Sequence, residues 1–518
     1  MKIVTVSQMQ KAERECSRFG ISLGQLMENA GKAFAAEVRN ILGDLQKQKI
    51  LILVGPGNNG GDGLVAARYL HDWGAQVRVY PCGKRSEPDP NLELAQKRGI
   101  SFREADADPG LSQLKEWLTE ATVVIDAIFG TGKSRALSGV FAEVLDCLGR
   151  VKKERPSLQL IALDLPSGLN ADTGAVDPHT PQADNTITLG FPKLGLFNLP
   201  GAEKAGKIAV VDIGIPAQLV EAIQPELLTP GLISSLLPRR APVSHKGTFG
   251  KVLAFTGSSN YIGAAYLACT GTIRVGAGLT TLAIAQSLQP VLAAKLTEVT
   301  YLLLPESSPG LAAAGCIDLL RQQMPDYDVL LLGCGIGQGQ PTIDLVRALL
   351  LSPGLKLPPV VLDADGLNIL SRQPDWSKEF TGEAILTPHA GEMARLLGCS
   401  IEEVQSNRLE AAREAAAKWH KTIVLKGAYT VISAPDGQVR VSPFANAGLA
   451  SAGTGDVLAG AVAGMLAQGL SLFEAAACGV YLHGLAGELV RAEMGDAGML
   501  ASDLLPVLPR AIRQLKEV

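Results

Sequence analysis

The sequence has no excess of charge of either sign. Its 47 lysines and arginines against 51 aspartates and glutamates leave a formal charge of −4. Such a balance does not steer a protein onto nucleic acid or an anionic membrane. Aromatic residues are scarce at 5%, too few for a base-stacking platform. Cysteines stand at 16, 82, 147, 269, 316, 334, 399 and 478, nowhere as C-x-x-C, so neither a zinc site nor a disulfide framework is indicated. They read as small buried hydrophobes in a reducing cytosol. Long apolar runs are missing too. The opening MKIVTVSQMQKAERE has no signal-like apolar segment, and VLAGAVAGMLAQGL from Val457 is too short to span a bilayer. A cytoplasmic protein binding neither nucleic acid nor membrane is expected.

Glycine, by contrast, is plentiful: 56 of 518 residues, about 11% against a usual ~7%, which points to tight turns and close backbone approaches. The length fits two large domains. SLGQLMENAGKAFAAEVRNIL (22–42) places Leu23, Leu26, Met27, Ala30, Phe34, Val38 and Ile41 on one helical stripe, with Ser22 as N-cap. KILILV (49–54), QVRVY (76–80), TVVIDAIF (122–129), LIALDLP (160–166) and KIAVVDIGIP (207–216) read as strands, mostly separated by helical patterns. That alternation predicts a doubly wound α/β domain. Prolines at 216, 225, 230, 238 and 242 place a linker around 220–240. A second series follows with KVLAFTG (251–257), LTTLAI (279–284), VLLLG (329–333), PVVLDADG (359–366), AILTPH (384–389) and TIVLKGAYTVI (422–432), predicting a second, larger α/β domain. The stretch after Val457 reads as a buried helix, and since Ala/Gly-rich helices can pack closely between subunits, a homo-oligomer is expected.

VGPGNNGGDG (54–63) follows a predicted strand, and Gly55, Gly57 and Gly60 satisfy G-x-G-x-x-G. The acidic residue that a dinucleotide-binding dehydrogenase needs after its second strand is missing, because that strand ends Val79-Tyr80-Pro81. The unusual part is Asn58-Asn59-Gly60-Gly61-Asp62. Two carboxamides and a carboxylate in one turn offer oxygen ligands to a hard cation and hydrogen bonds to a polar ligand, and the flanking glycines favour this over a plain Asx-capped turn. AIFGTGKS (127–134) misses a P-loop by one residue, Ala127 standing where glycine is required. It reads as a glycine turn that offers Lys133 to an anion. Asp126, Asp164 and Ser167 lie at further strand ends, which converge on one crevice in an open parallel sheet.

These residues resemble the NAD(P)H-hydrate epimerase domain, over roughly residues 10–220. Its NNGGD turn and D-x-P-S-G motif are both matched. The resemblance implies potassium ligands at Asn59, Asp126 and Ser167. It implies substrate contacts at Asn58, Asn59, Gly60, Gly61 and Asp62, at Gly130, Thr131, Gly132, Lys133, Ser134, Arg135 and Ala136, and at Asp164. Inverting a hydroxyl-bearing carbon needs a proton shuttle, and Asp164 is the candidate acid/base with Lys133 assisting.

In the second half, Ala452-Gly453-Thr454-Gly455 leads directly into an apolar helix. Backbone amides of such a turn cradle phosphate charge, and Asp456 beside them is placed to act as general base on an attacking hydroxyl. A helix cap by Thr454 and Asp456 is the simpler alternative. LKGAYTVI (425–432) reads as strand, glycine turn, strand, and TPHAGE (387–392) puts His389 and Glu392 at a strand-to-helix turn. GCGIGQ (333–338) is another such turn, and Asp363 and Asp365 suit a hydrated Mg²⁺ or an ordinary acidic turn.

This half resembles the ribokinase-like fold and, within it, the NAD(P)H-hydrate dehydratase domain. KGTFGK (246–251), GSSNYIGAA (257–265), the TPHAGE and KGAYT stretches and the NAGLASAGTGD stretch carry the likeness over roughly 228–512, and a domain of 228–518 after one of 1–220 is expected. The resemblance implies hydrate contacts at Ala264, Gly337, His389 and Asp456. It implies nucleotide contacts at Lys426, Gly427, Ala428, Tyr429, Thr430 and Gly455. Both domains in one chain look like the bacterial form, which uses ADP with Mg²⁺. The implied substrates are the hydrates of NADH and NADPH. A small-molecule kinase would use the same GTGD device, and a non-enzymatic ligand-binding first half is the remaining alternative.

Overall fold

The computed structural model describes residues 1–132, 136–352 and 354–517. The chain divides into two units, Met1–Gln224 and Pro225–Val518.

The first unit holds seven strands, β1 (Lys49–Val54), β2 (Gln76–Pro81), β3 (Ser101–Phe102), β4 (Val123–Ala127), β5 (Gln159–Leu163), β6 (Asn185–Leu189) and β7 (Lys207–Val211). They form one parallel sheet in the order β3-β2-β1-β4-β5-β6-β7. This is the doubly wound, Rossmann-like architecture expected. The order reverses between β1 and β4, and a ligand crevice opens at such a switch point, beyond the carboxyl ends of the strands. β1 shows why its run is apolar without alternation. Ile50, Ile52 and Val54 join the core on one face, and Leu51 and Leu53 join the core on the other. Helix Leu23–Leu42 is capped by Ser22, whose hydroxyl accepts the Gln25 N–H at 3.1 Å. Leu23, expected on its apolar stripe, is instead 63% exposed and borders the crevice. Ile128 and Phe129, expected as strand, lie just past the end of β4.

The second unit has a ten-stranded sheet. Its members are β8 (Glu226–Leu227), β9 (Lys251–Phe255), β10 (Leu279–Ala285), β11 (Thr300–Leu304), β14 (Val329–Leu332), β15 (Val360–Leu362), β16 (Ala384–Leu386), β17 (Thr422–Leu425), β18 (Val431–Ser433) and β19 (Val439–Val441). A small hairpin, β12 (Glu306–Ser308) with β13 (Leu311–Ala312), stands apart. The order is β11-β10-β9-β14-β15-β16-β17-β18-β19-β8. It is parallel through β17, then antiparallel across β18 and β19. Residues 226–236, read from their prolines as linker, supply edge strand β8 and helix Pro230–Leu236. Pro230 is tolerated because it occupies the first helical turn, where no intrahelical N–H is needed.

Helix Thr454–Ala467 is buried along nearly its whole length. It packs on helix Ile262–Arg274 with backbones almost touching. A Cβ built on Gly460 would fall 2.1 Å from the Ala268 carbonyl oxygen, and one on Gly464 would fall 2.6 Å from that of Thr272. The Ala/Gly surface of this helix is therefore consumed inside the unit. The eight cysteines are free, all buried except the half-buried Cys399. Among the described residues, no helix is long and apolar enough to cross a membrane.

Candidate active sites

In the first unit the chain turns out of β1 through Gly55–Gly57 and enters helix Asn58–Asp72. Asn58–Asp62, expected in a turn, are the first residues of that helix, with Gly57 as N-cap and no side-chain cap. Glycine permits this, since a Cβ on Gly60 would lie 2.0 Å from the Gly55 carbonyl oxygen. Asn58, Asn59 and Asp62 line a cavity of about 510 Å³ together with Gly130, Thr131, Gly132 and Asp164. Gly60 and Gly61 pack beneath it, against Gly55 and Met27. Ala136 lines a cavity of about 670 Å³ that also borders Gly130 and Gly132. Lys133, Ser134 and Arg135 fall outside the described residues.

Asp164 has φ +68°, a left-handed conformation rare for a residue with a side chain. Its Oδ1 accepts hydrogen bonds from Lys193 Nζ at 2.5 Å, Thr188 Oγ1 at 3.0 Å and Leu189 N at 3.1 Å. Its Oδ2 reaches toward the Gly130 turn, 3.3 Å from where a Cβ on Gly130 would stand, and Asn59 Oδ1 is 2.9 Å from that point. Glycine at 130 thus keeps open the space into which two oxygens point.

Asp126 is 1% exposed. It accepts hydrogen bonds from Ser167 Oγ at 2.6 Å, Ser167 N at 2.8 Å and Ile128 N at 3.2 Å. Ser167 Oγ in turn accepts the Phe129 N–H at 2.9 Å. Asn59, Asp126 and Ser167 therefore surround one turn, Ile128–Gly130. Among the described residues no lysine or arginine pairs with Asp126, and burial raises its pKa. A buried carboxylate without a counter-charge, beside hydroxyl and carboxamide oxygens, suits a hard cation of low charge. Among the described residues Asn59 Nδ2 has no hydrogen-bond partner.

Three charged residues of this cavity escaped the sequence reading, Arg14 among them. Lys193 is 1% exposed and tied to Asp164. Glu13 lines the same cavity, on a helix whose buried face carries Met9 and Ala12. An acid one turn from Met9 on an amphipathic helix was the signal for Glu13. Lys193 follows β6, which the sequence did not reveal. Asp62 and Glu13 both have raised pKa values, chiefly through burial; for Asp62 the neighbouring Asp164 and Glu13 add to it.

In the second unit, Gly453 (φ +89°) turns the chain into helix Thr454–Ala467. Thr454 does not cap this helix through its side chain. Its hydroxyl donates backward to the carbonyls of Leu449 (2.7 Å) and Ser451 (2.9 Å). The amides of Gly455 and Asp456 find no acceptor among the described residues and lie at a positive helix end, which favours an anion. A Cβ built on Gly455 would stand 3.6 Å from Lys426 Nζ and 3.9 Å from Asp363 Oδ2. Lys426 Nζ donates to Asp363 Oδ1 at 2.6 Å and lies 3.8 Å from Glu392. Burial alone would lower the lysine pKa, but these two carboxylates outweigh it and raise it.

Asp456 lies in the first turn of the same helix. Its carboxylate, the Asp363 carboxylate and the Cys334 thiol lie within 4.8 Å of one another. Burial, then repulsion from Asp363, push the Asp456 pKa up to about 6. A carboxylate near neutrality at an anion-binding helix end is equipped as a general base, more than a cap requires.

The other expected residues gather around this centre. Ala264, in the first turn of helix Ile262–Arg274, abuts the glycine turn, since a Cβ on Gly335 would fall 2.7 Å from its methyl. Gly337 N donates to Asp365 Oδ2 at 2.9 Å, so Asp365 braces that turn. His389 caps helix Ala390–Leu397, its Nδ1 accepting from Gly391 N at 3.0 Å, while Glu392 Oε2 accepts the His389 N–H at 2.8 Å. The His389 pKa is lowered, by burial first and then by Lys426. Lys426–Thr430 form the turn between β17 and β18. Gly427 and Ala428 are exposed, Tyr429 is buried at φ +52°, and Thr430 Oγ1 donates to the Gly427 carbonyl at 2.9 Å. Arg408, which the sequence did not single out, is buried beneath this turn and donates to the carbonyls of Leu425 (3.0 Å) and Lys426 (3.2 Å).

Comparison with known proteins gives the two units separate and joint relatives. Residues 252–510 match the family model described as NAD(P)H-hydrate dehydratase, and residues 23–195 match that described as YjeF-related protein N-terminus. The bifunctional NAD(P)H-hydrate repair enzyme Nnr of Moorella thermoacetica is 42% identical over 525 aligned positions, covering 100% of this chain and 98% of that protein. Its namesake from Escherichia coli is 31% identical, covering 97% of this chain and 92% of that one. The crystal structure of an ADP/ATP-dependent NAD(P)H-hydrate dehydratase from Bacillus subtilis, co-crystallized with ATP/Mg²⁺, is 33% identical with TM-score 0.49, and the match covers 57% of this chain and 100% of that one. With two family models in the order of its two units and a relative aligned end to end, the chain belongs to the family of bifunctional NAD(P)H-hydrate repair enzymes.

Proposed function

We propose that the two units perform successive steps in repairing hydrated NADH and NADPH: the first interconverts the R and S hydrates, and the second dehydrates the S form at the expense of ADP. The observation that carries this reading is the Asp456 carboxylate, with a pKa of about 6, set in the first turn of a helix whose Gly455 and Asp456 amides find no acceptor among the described residues.

Hydroxide is a poor leaving group. In the second unit Asp456 takes the proton of the hydrate hydroxyl as its oxygen attacks the terminal phosphorus of ADP, releasing AMP. The amides around Gly455, with Lys426 nearby, stabilise the charge that develops on the transferred group. Loss of phosphate together with a proton from the adjacent carbon restores the dihydronicotinamide. The carboxylates of Asp363 and Asp365 suit a hydrated Mg²⁺, which would neutralise phosphate charge when bound. Lys426–Thr430 hold the nucleotide, and Ala264, Gly337 and His389 face the hydrate.

In the first unit Asp164 exchanges the hydroxyl proton through Oδ2, which no hydrogen bond among the described residues engages. Asn58–Asp62 and 130–136, with Lys133 among them, hold the dinucleotide. Asn59, Asp126 and Ser167 would hold a potassium ion, whose charge would fix the Ile128–Gly130 turn. The unpaired cysteines support a reducing compartment, the cytoplasm.

The test is incubation of the full chain with separated R and S hydrates, Mg²⁺ and either ADP or ATP. Recovery of dihydronicotinamide absorbance from both epimers, with AMP formed from ADP, is expected. Accumulation of a stable phosphorylated product would instead make the second unit a kinase.

A further inference from the structure

Besides Arg14, two charged side chains of the first cavity have no part in this scheme. Glu13, from helix Val6–Glu15, and Lys193, from the segment after β6, line it beside Asp164. Lys193 is almost wholly buried and spends its donors on Asp164 Oδ1, Thr188 Oγ1 (3.2 Å) and the Leu189 carbonyl (2.9 Å). One oxygen of Asp164 is thereby saturated and the other left toward the cavity. No hydrogen bond among the described residues engages the Glu13 carboxyl, which stands half-buried at the cavity wall. A single acid/base would serve only one of the two atoms that must exchange protons when a carbon bearing both a hydroxyl and a ring nitrogen is inverted.

We propose that Glu13 is the second proton-transfer group of the first unit, acting on the ring nitrogen while Asp164 acts on the hydroxyl, and that Lys193 is the residue that positions Asp164. This rests on the epimerase reading of the unit. Asp164 Oδ2 takes the hydroxyl proton, the C–O bond becomes a carbonyl, the C–N bond breaks, and the nitrogen takes a proton from Glu13. Rotation about the neighbouring C–C bond presents the other carbonyl face. The nitrogen adds to it, its proton returns to Glu13, and Asp164 returns its proton to oxygen. Atoms and charge balance with no water or oxidant consumed.

The charged groups facing Glu13 agree with this role. Burial raises its pKa and Asp164 adds to the rise, against Lys193 and Arg14; Asp62 shares the cavity, and its own pKa is raised partly by Glu13. A proton donor is thus kept available next to a carboxylate held by a lysine.

The experiment follows R-to-S interconversion chromatographically in wild type, Glu13→Gln, Asp164→Asn, Lys193→Met and Lys193→Arg, with hydrate binding measured by calorimetry. Glu13→Gln should bind the hydrate within about threefold of wild type, interconvert it about 100-fold more slowly or worse, and lose the alkaline limb of the rate profile. Lys193→Met should slow interconversion with hydrate binding kept, and Lys193→Arg should restore part of the rate, because Asp164 loses and then regains the donor that orients it. Glu13→Gln with near-wild-type rate beside an inactive Asp164→Asn would overturn the proposal and leave the epimerase reading standing. Loss of hydrate binding in Glu13→Gln would also overturn it, by reducing Glu13 to a binding group. A wild-type protein that interconverts nothing would end the epimerase reading itself.

Discussion

Lys426 donates to Asp363 at 2.6 Å, and the same ammonium lies 3.6 Å from where a side chain on Gly455 would begin. One cation therefore serves two elements of the second unit, a buried carboxylate at the end of β15 and the open end of helix Thr454–Ala467. Replacing Lys426 by Met removes the counter-charge of both Asp363 and Glu392, whose side chains are 2% and 5% exposed. Breaking a buried pair from one side costs about 3 kcal/mol. Chemical denaturation of the variant should show that loss in the second unit, together with a loss of dehydration.

Gly455→Ala is predicted to separate folding from function. The new methyl would meet its neighbours at ordinary contact distance, and alanine favours a helix over glycine by about 1 kcal/mol. Stability should hold or rise. The methyl would stand where phosphate must approach the amides, so the KM for ADP should climb about tenfold or more in steady-state assays, with epimerisation unaffected.

Asp456 must be ionised to accept a proton. With its pKa raised to about 6, the dehydration rate should fall as pH drops through 6, and Asp456→Asn should lower it by about 10²–10⁴-fold. Epimerisation by the same protein should continue. Loss of both activities together would argue against two separate sites.

His483 is buried and its Nε2 lies 2.9 Å from the Thr454 carbonyl oxygen. Burial lowers its pKa to about 4, against ~6.5 in an unfolded chain. Between these values the unfolded chain binds the extra proton, so stability is lost as pH falls from about 6.5 to 4, by about 3 kcal/mol in total. Denaturation midpoints across that range should show the slope, and His483→Gln should flatten it.

Much of this was legible in the sequence because glycine and apolar runs report backbone constraints directly. KILILV was recognisable as β1, buried on both faces, and the residues around Gly455 as a glycine turn leading into a buried helix. β6 was missed because its threonines read as surface. In the fold Thr186 and Thr188 are fully buried, their hydroxyls satisfied by the Ala205 carbonyl and Asp164. With β6 hidden, Lys193 had no strand end to belong to. Arg408 and Cys334 escaped for a related reason: each acts on a turn or carboxylate far away in sequence, and neither carries a local spacing signal. The Asn-Asn-Gly-Gly-Asp stretch looked like a turn, since glycine usually opposes helix; here it lets the helix lie close against Gly55 and Met27.

The glycine seam between helices Thr454–Ala467 and Ile262–Arg274 has a further effect. One helix carries Gly455 and Asp456, the other Ala264, so the gap between these residues is gauged by two backbones in direct touch. A single methyl at Gly460 or Gly464, well away from all three, would wedge that gap open. Mutational scans of this enzyme should therefore find silenced variants at positions with no reacting neighbour, and the damage there would be one of alignment, not of lost chemistry.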